Sequence, residues 1–514
     1  MFADGISNAA VIEALLRSLS LSIAVALISG AAGCLVAWLV TRSDIGGGRA
    51  LSGLFSIPYA IPAYLLGMAW IVLGNPAVGA VRGIFPESGV YGFHGMVLVE
   101  STVAFAFPYL ELKAGFERMD PSLEEAARMS GARPWRVFRD VSFPLLWPPL
   151  VNGMCLSFLY TLSSFGVPAM LGMPVRQFVL TTLIYSQFKL GGMAGIAAGL
   201  RLSLILLAMA MLVLALSNRL VGLQRRRGGA ITGSRVSRPA LVHLGRGRVP
   251  VSAAVWAVFA AAVVLPWGAL AFSALAPVAG NYSPSEWTLR NLEYVLALPE
   301  FSEALVNSLA LSLSVATLVV ALGFLLAFAA VRRGSRAAQW IIEAMGVPFS
   351  TPGTVIAILL IFVSTWAAAA MGRFGLSFDS PLFWMALAYA LKYCAVSARM
   401  LAAAYRQVHP SLEEAAVVSG ATTLILLRTI WLPLLSRTVL AAWFLTALPM
   451  FTELTMSVLL TGPGGATMGT VLFQLQEYAD QPSAAALAWI LLSAALMGAF
   501  FMRGRRAGEI LEGR

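Results

Sequence analysis

The apolar residues of this chain come in long runs, and the polar ones are confined between them. Eleven runs approach the roughly 20 mostly apolar residues that a membrane helix needs. They lie at 19–40, 51–73, 94–116, 148–171 and 193–217 in the first half, and at 255–275, 307–330, 341–365, 382–404, 437–460 and 483–502 in the second. Each predicts a transmembrane helix, because a helix satisfies its own backbone hydrogen bonds where lipid offers none. Composition sharpens this. Of 514 residues, 59% are apolar and 11% charged, whereas a soluble domain is about 25% charged. The excess runs the whole length, which excludes a soluble enzyme on one anchor, a disordered chain and a fibre.

Charge sets the orientation. The formal charge is +11, and its distribution points to a membrane and not to nucleic acid. With the N-terminus outside, the inward segments carry 25 of the 35 basic residues and the outward ones six: Arg17, Arg82, Arg176, Lys189, Arg290 and Arg373. That asymmetry predicts N-out, C-in, with an odd number of spans. Cys34, Cys155 and Cys394 all fall in apolar runs and read as core residues. No basic segment precedes the first apolar run, so no cleaved signal is expected.

The chain is duplicated. Residues 121–146 (PSLEEAARMSGARPWRVFRDVSFPLL) and 410–435 (PSLEEAAVVSGATTLILLRTIWLPLL) are identical at fourteen of 26 positions, at an offset of 289. At offset 290, Ser18, Ser22, Gly33, Pro58 and Pro62 match Ser308, Ser312, Gly323, Pro348 and Pro352. Both copies run the same way across the membrane, so the repeat is parallel. The expected organisation is a first repeat over 1–220, a basic inside linker over 221–254 read as a flexible tether, and a second repeat over 255–514 whose extra span, 255–275, brings the chain back across. The matched prolines should kink the second span of each repeat. Gly191, Gly195 and Gly199 form a small-residue stripe for close helix packing.

Each duplicated loop (117–147 and 405–437) reads as two short helices about a turn. Ser122 and Glu125 have capping-box spacing, as do Ser411 and Glu414. Gly131 and Gly420 suit a left-handed C-cap. Pro134 suits a helix start, with Thr422 or Thr423 in its place in the second copy, and Pro144 and Pro433 should end the second helix. Capping alone does not explain why both loops keep Glu-Ala-Ala, Gly, Arg139 or Arg428, and Pro. A carboxylate beside small alanines makes a flat helix face suited to a groove on a partner.

These loops resemble the EAA motif of ABC importer permeases, EAA-x3-G-x9-I-x-L-P. The second copy fits fully (Glu414, Ala415, Ala416, Gly420, Ile430, Leu432, Pro433), and the first with two conservative changes (Glu125, Ala126, Ala127, Gly131, Val141, Phe143, Pro144). The resemblance implies an all-α polytopic membrane protein: two tandem parallel repeats of the type I ABC importer permease fold, each EAA loop seated on an ATPase subunit. Two halves on one chain resemble the fused permeases of ferric iron importers. SSFGVPAMLG (163–172) and TELTMSVLLTGPG (452–464) resemble segments after the EAA loops in that group, although no Pro follows Leu454. The implied partners are two copies of an ABC ATPase and an external substrate-binding protein, with no cofactor on this chain and a place in the bacterial inner membrane.

No Lys follows a Gly, so the chain contains no G-x-x-x-x-G-K-[ST] phosphate loop. HExxH and GxSxG are also absent, which argues against a membrane protease or esterase. His94, His243 and His409 are scattered and read as interfacial or solvated. Charges within spans are costly and face a cavity or a partner. Of Glu100, Glu111, Lys113, Arg201, Lys392 and Glu453, the carboxylates Glu100 and Glu453 are the candidates to line a pathway, against ordinary packing roles. Thiamine, a phosphonate or another small solute are alternative substrates. A rival of another class is an ion-coupled secondary carrier, which would need a carboxylate at the membrane midplane.

Overall fold

A computed structural model describes residues 7–227, 241–281, 283–371, 380–478 and 481–512. Among these the chain is helical, and the one extended pairing is a single bridge between Ser43 and Val242. The first half comprises α1 (Asn8–Arg42), α2 (Gly48–Leu54), α3 (Ala63–Gly74), α4 (Phe93–Ala104), α5 (Ala106–Arg118), α6 (Pro121–Met129), α7 (Pro134–Val137), α8 (Phe143–Ser163), α9 (Leu180–Lys189) and α10 (Gly192–Arg227). Then come α11 (Arg248–Phe259), α12 (Leu265–Leu275) and α13 (Arg290–Ala297). The second half comprises α14 (Pro299–Val331), α15 (Arg336–Ala344), α16 (Gly346–Ser350), α17 (Gly353–Met371), α18 (Pro381–Gln407), α19 (Pro410–Val418), α20 (Thr423–Leu426), α21 (Leu432–Phe451), α22 (Thr455–Leu460), α23 (Met468–Tyr478) and α24 (Gln481–Glu512).

Nine helical segments among the described residues are long and apolar enough to cross a membrane. The other two expected spans are the proline-bearing ones, and both are broken, not merely kinked. Residues 51–73 divide into α2, a 3-10 turn at Ile57–Ala60 and the short α3. Residues 341–365 divide at Thr351 and Pro352, with the two arms bent by 102°. A proline has no N–H to give and disfavours helix in the residue before it. Two prolines four residues apart therefore open the same turn in both copies.

The chain forms two compact units. One comprises Met1–Ser186, Ile205–Glu293 and Ala479–Ala499, the other Gln187–Leu204, Tyr294–Tyr478 and Phe500–Arg514. These spatial units do not follow the repeat boundaries. The extra span α11–α12 belongs with the first unit, where α12 packs on α3. There the Trp267 indole donates to Ser493 Oγ of α24 at 3.1 Å. Both flanks of the expected tether, 221–254, are structured. Residues 228–240 lie outside the described residues, but α10 runs to Arg227, and Val242 N donates to Arg42 O at 2.8 Å. Asp44 accepts from Leu244 N at 2.9 Å, and Ser252 Oγ accepts from Gly46 N at 2.8 Å. Paired backbone fixes this end of the linker to the end of α1.

The matched small residues have matched work. In the first unit α1 packs against α4, α5 and α8; in the second, α14 packs against α18 and α21. A Cβ on Gly33 would stand 2.9 Å from Tyr109 N, and one on Gly323 would stand 2.9 Å from Ala398 N. Glycine is thus what lets the first and third long helices of each repeat touch backbones. Ser18 Oγ accepts from Leu180 N at 2.8 Å, and Ser308 Oγ from Met468 N at 2.9 Å, so each serine holds the start of a later helix. Of the glycine stripe, Gly191 lies in a left-handed turn before α10, and a Cβ on Gly195 would meet the Gln187 carbonyl at 2.6 Å.

Candidate functional site

The helix of the first duplicated loop is capped two residues earlier than the capping-box spacing suggests. Asp120 is the N-cap of α6, its carboxylate accepting from Ser122 N at 2.9 Å, and that N–H holds the carboxyl below its usual range. Pro121 takes the first helical position, which suits its fixed φ and missing donor. His409 caps α19 in the same way, Nδ1 accepting from Ser411 N at 3.2 Å. Ser122 and Ser411 are therefore inside the helices, and neither forms the expected capping box.

The C-terminal ends fold as expected. Gly131 and Gly420 have φ of 81° and 83°. Gly131 N donates to Arg128 O and Ala132 N to Ala127 O; Gly420 N donates to Val417 O and Ala421 N to Ala416 O. This is the Schellman pattern in both copies, and it requires a left-handed residue at that point.

The second helix of each loop does not stop at its proline. α7 continues through a π-turn, Phe138–Ser142, into α8, and α20 through a π-turn, Leu427–Trp431, into α21. Phe143 N donates to Phe138 O, and Leu432 N to Leu427 O, each five residues back. Widening the ladder just before Pro144 or Pro433 accommodates the missing N–H without ending the helix. The second helix of each loop is thus continuous with a long apolar helix, and the expected spans 148–171 and 437–460 begin earlier, in segments Pro134–Ser163 and Thr423–Phe451.

The helix faces divide the motif residues. Glu125, Ala126 and Met129 are exposed, as are Glu414, Ala415 and Val418; Ala127 and Ala416 are half-buried. Met129 and Val418 are 89% and 88% exposed, and Trp135 and Leu424, also matched in the repeat, 68% and 55%. Arg139 is exposed and paired with Asp140 at 2.6 Å; Arg428 is exposed. Ala416 and Ala421 pack on the core cluster of Phe324, Leu401, Tyr405 and Trp431.

The neighbouring glutamate of each loop turns inward, Glu124 buried and Glu413 half-buried. Arg42 Nε donates to Glu124 Oε2 at 2.9 Å, and Ser142 Oγ to Glu124 Oε1 at 2.6 Å. Arg42 Nη2 also donates to Phe116 O at 2.9 Å, at the end of α5. In the second unit Arg332 Nε lies 2.7 Å from Glu413 Oε1, while Nη2 donates to Tyr405 O and Val408 O at 2.9 and 2.7 Å. Trp431 stands where the first repeat has Ser142, packed 4.7 Å from the Phe328 ring centroid.

Glu100 and Glu453 occupy corresponding regions by different routes. At the repeat offset, Glu100 matches Tyr389 and Ser164 matches Glu453. Glu100, on α4, is fully buried, with Ser164 as a polar neighbour and neither carboxylate oxygen well hydrogen-bonded. Glu453 follows α21, and its carboxylate accepts from Met456 N, Ser457 N and Ser457 Oγ, so that it caps α22. Tyr389 Oη and Ser457 Oγ are 2.7 Å apart. Lys392 donates to Phe349 O and Thr351 O, at the break between α16 and α17. Lys113 reaches Glu117 at 3.9 Å, one helical turn on.

Two separate stretches of the chain, residues 29–222 and 319–504, match the family described as the binding-protein-dependent transport system inner membrane component. The chain belongs to this family. Among its relatives, a Fe(3+)-transport system permease protein of Haemophilus influenzae is 25% identical over 484 residues, 93% of this chain and 87% of that protein. The molybdenum transport system permease protein of Escherichia coli is 29% identical over 224 residues, 42% of this chain and 96% of its own. A probable sulfate transport system permease protein of Chlorella vulgaris is 31% identical over 182 residues, 35% and 68% respectively. As a member, this chain is a polytopic membrane transport component, and the duplication read from its sequence is a tandem pair of permease repeats. Arg42–Glu124 and Arg332–Glu413 escape the motif because the arginines lie about eighty residues upstream. The signal was nevertheless available, since both charges recur at the repeat offset.

Proposed function

We propose that this chain is the transmembrane permease subunit of a binding-protein-dependent ABC importer in a bacterial inner membrane. Its two loops seat on two copies of a separate ATPase, which hydrolyses ATP for it. The observation that carries this reading is the duplicated exposed face: a carboxylate (Glu125, Glu414), a small alanine beside it (Ala126, Ala415) and a large apolar side chain (Met129, Val418). Exposed apolar side chains rimmed by charge, repeated on two loops, fit a groove on a protein partner. The π-turns join each seat to a long apolar helix, so a displacement of the seat moves that helix.

Ferric iron is the substrate we propose. Its support is the relative that follows this chain through both halves, over 93% of its length. A loaded external binding protein delivers the iron, and no resident cofactor is needed here. The molybdenum and sulfate relatives favour a second reading, a small oxyanion. Glu100 and Glu453 serve as pathway-side carboxylates, Glu100 the stronger candidate because its oxygens lack good hydrogen bonds.

The test is ATP hydrolysis by the assembled complex in lipid. Binding protein loaded with ferric iron, molybdate, sulfate, thiamine or aminoethylphosphonate is added in turn. Stimulation by the ferric form alone supports the full reading. Stimulation by an oxyanion form keeps the importer and replaces the substrate. Transport on an ion gradient, with no ATPase assembling, overturns the reading in favour of a secondary carrier.

A further inference from the structure

We propose that the buried pair Arg42–Glu124 and the half-buried pair Arg332–Glu413 are positioning links that carry motion of each coupling loop into the helices that move. They do not form the seat itself. This rests on the reading of the two loops as ATPase seats. In the first unit the Arg42 guanidinium, at the last residue of α1, joins three elements at once. It holds the Glu124 carboxylate of α6 and the end of α5 through Phe116 O, and its charge lies 5.1 Å from the Phe116 ring centroid. Ser142, inside the π-turn, takes the other oxygen of Glu124. A push on the exposed face of α6 therefore reaches α1, α5 and α8 through charge-assisted hydrogen bonds, which are the short and directional kind.

The second unit repeats the link with two parts changed, since Arg332 Nε and Glu413 Oε1 are close enough for an ion pair but lack hydrogen-bond geometry. Arg332, the C-cap of α14, holds Glu413 of α19 and the end of α18 through Tyr405 O and Val408 O. No hydroxyl closes the fourth side, because Trp431 replaces Ser142. The side chains of the first pair are 3% and 4% exposed, and those of the second 13% and 17%. The first link is sealed and joined to its π-turn; the second is more open and is not. The two seats are therefore unequally coupled, the first more tightly. Electrostatic attraction weakens with solvent access, so substitution in the first link should do more damage.

The experiment uses the full complex in liposomes, with three readouts: ATPase assembly, ATP hydrolysed on adding loaded binding protein, and substrate taken up per ATP. E124Q and R42K should still assemble with the ATPase and hydrolyse ATP. Uptake per ATP should fall about two- to thirtyfold, the range seen for residues that couple sites without touching ligand. E124D, which keeps the charge, should retain most of the ratio, and E413Q should lower it less than E124Q. An unchanged ratio in E124Q and R42K overturns the proposal. So does loss of assembly in E124Q where E125A still assembles, since Glu124 would then belong to the seat. If the first-unit variants fail to insert, R332K and E413Q carry the same test: a lowered ratio supports the link and an unchanged one overturns it. E125R tests the underlying reading separately. If it leaves assembly and hydrolysis untouched, the loops are not the seats.

Discussion

Glu124 and Glu125 are consecutive residues of one helix, and they face opposite environments. The Glu124 side chain is 4% exposed and held by Arg42, whereas Glu125 stands in the open. Successive helix positions turn by about 100°, so a doubled glutamate can serve an inner and an outer partner at once. The second copy repeats this with Glu413 and Glu414, which makes the two roles separable by substitution.

Outer-face substitution is expected to affect docking alone. Replacing Glu125 or Glu414 with Arg should leave membrane insertion and thermal stability within about 0.5 kcal/mol of the parent, as for other exposed positions. ATPase assembly should weaken, and the double variant should lose most transport. Co-purification with the ATPase, beside a melting curve of the permease alone, checks both parts. Normal transport in the double variant contradicts the docking reading.

Inner-face substitution is expected to affect stability. Arg42→Ala leaves the Glu124 carboxylate buried without its cation, and stranding one member of a buried pair costs about 3–5 kcal/mol. Arg332→Ala, at the more open pair, should cost less. The double variant R42M/E124L removes both charges and should recover most of the loss. Thermal unfolding in one detergent ranks the three, and equal losses for Arg42→Ala and Arg332→Ala would contradict the difference in burial.

The fold was legible where a local rule had one outcome. The apolar runs, the duplication and the glycine C-caps needed only composition, spacing and the sterics of a left-handed residue. The motif residues were legible as a set, but their division between inner and outer faces was not. It depends on Arg42, which is distant in sequence. Two rules failed in instructive ways. Ser-x-x-Glu matched the capping-box spacing, but Asp120 and His409 stood earlier and took the role. Pro144 and Pro433 read as stops under an α-helical ladder, and the helix instead widened by one residue ahead of each.

The capping difference predicts a difference between the loops. Asp120 has a lowered pKa, so its contribution to α6 is present at neutral pH and is lost only as pH falls through that lowered value. His409→Asp would give α19 the same cap. Its loop should then resist proteolysis at neutral pH at least as well as the parent, with the protection falling on acidification as for α6. Limited proteolysis across pH, read at loop 405–437, checks this; greater cleavage at neutral pH in the variant would contradict it.

Glu100 is expected to trade stability for transport. A buried polar group lacking a good partner costs about 1–3 kcal/mol, so Glu100→Leu should raise the melting temperature or leave it unchanged. If the carboxylate serves the pathway, uptake should fall in the same variant. Glu453→Ala should instead lower stability, by about 1 kcal/mol for a lost cap. A Glu100→Leu variant that melts lower would show that the carboxylate has a partner it depends on.

The two π-turns fix the phase of each duplicated loop. Each turn holds one residue more than an α-helix would, so deleting a single residue within 138–142 or 427–431 would let the ladder close. The helix would survive, but everything ahead of the deletion would rotate by about 100° against the long apolar helix behind it. Glu125 and Met129, or Glu414 and Val418, would then point away from where the intact chain presents them. The spacing from the motif glycine to the motif proline thus acts as an indexing mark, and a protein shorter there by one residue would fold with the exposed faces of its two loops out of register.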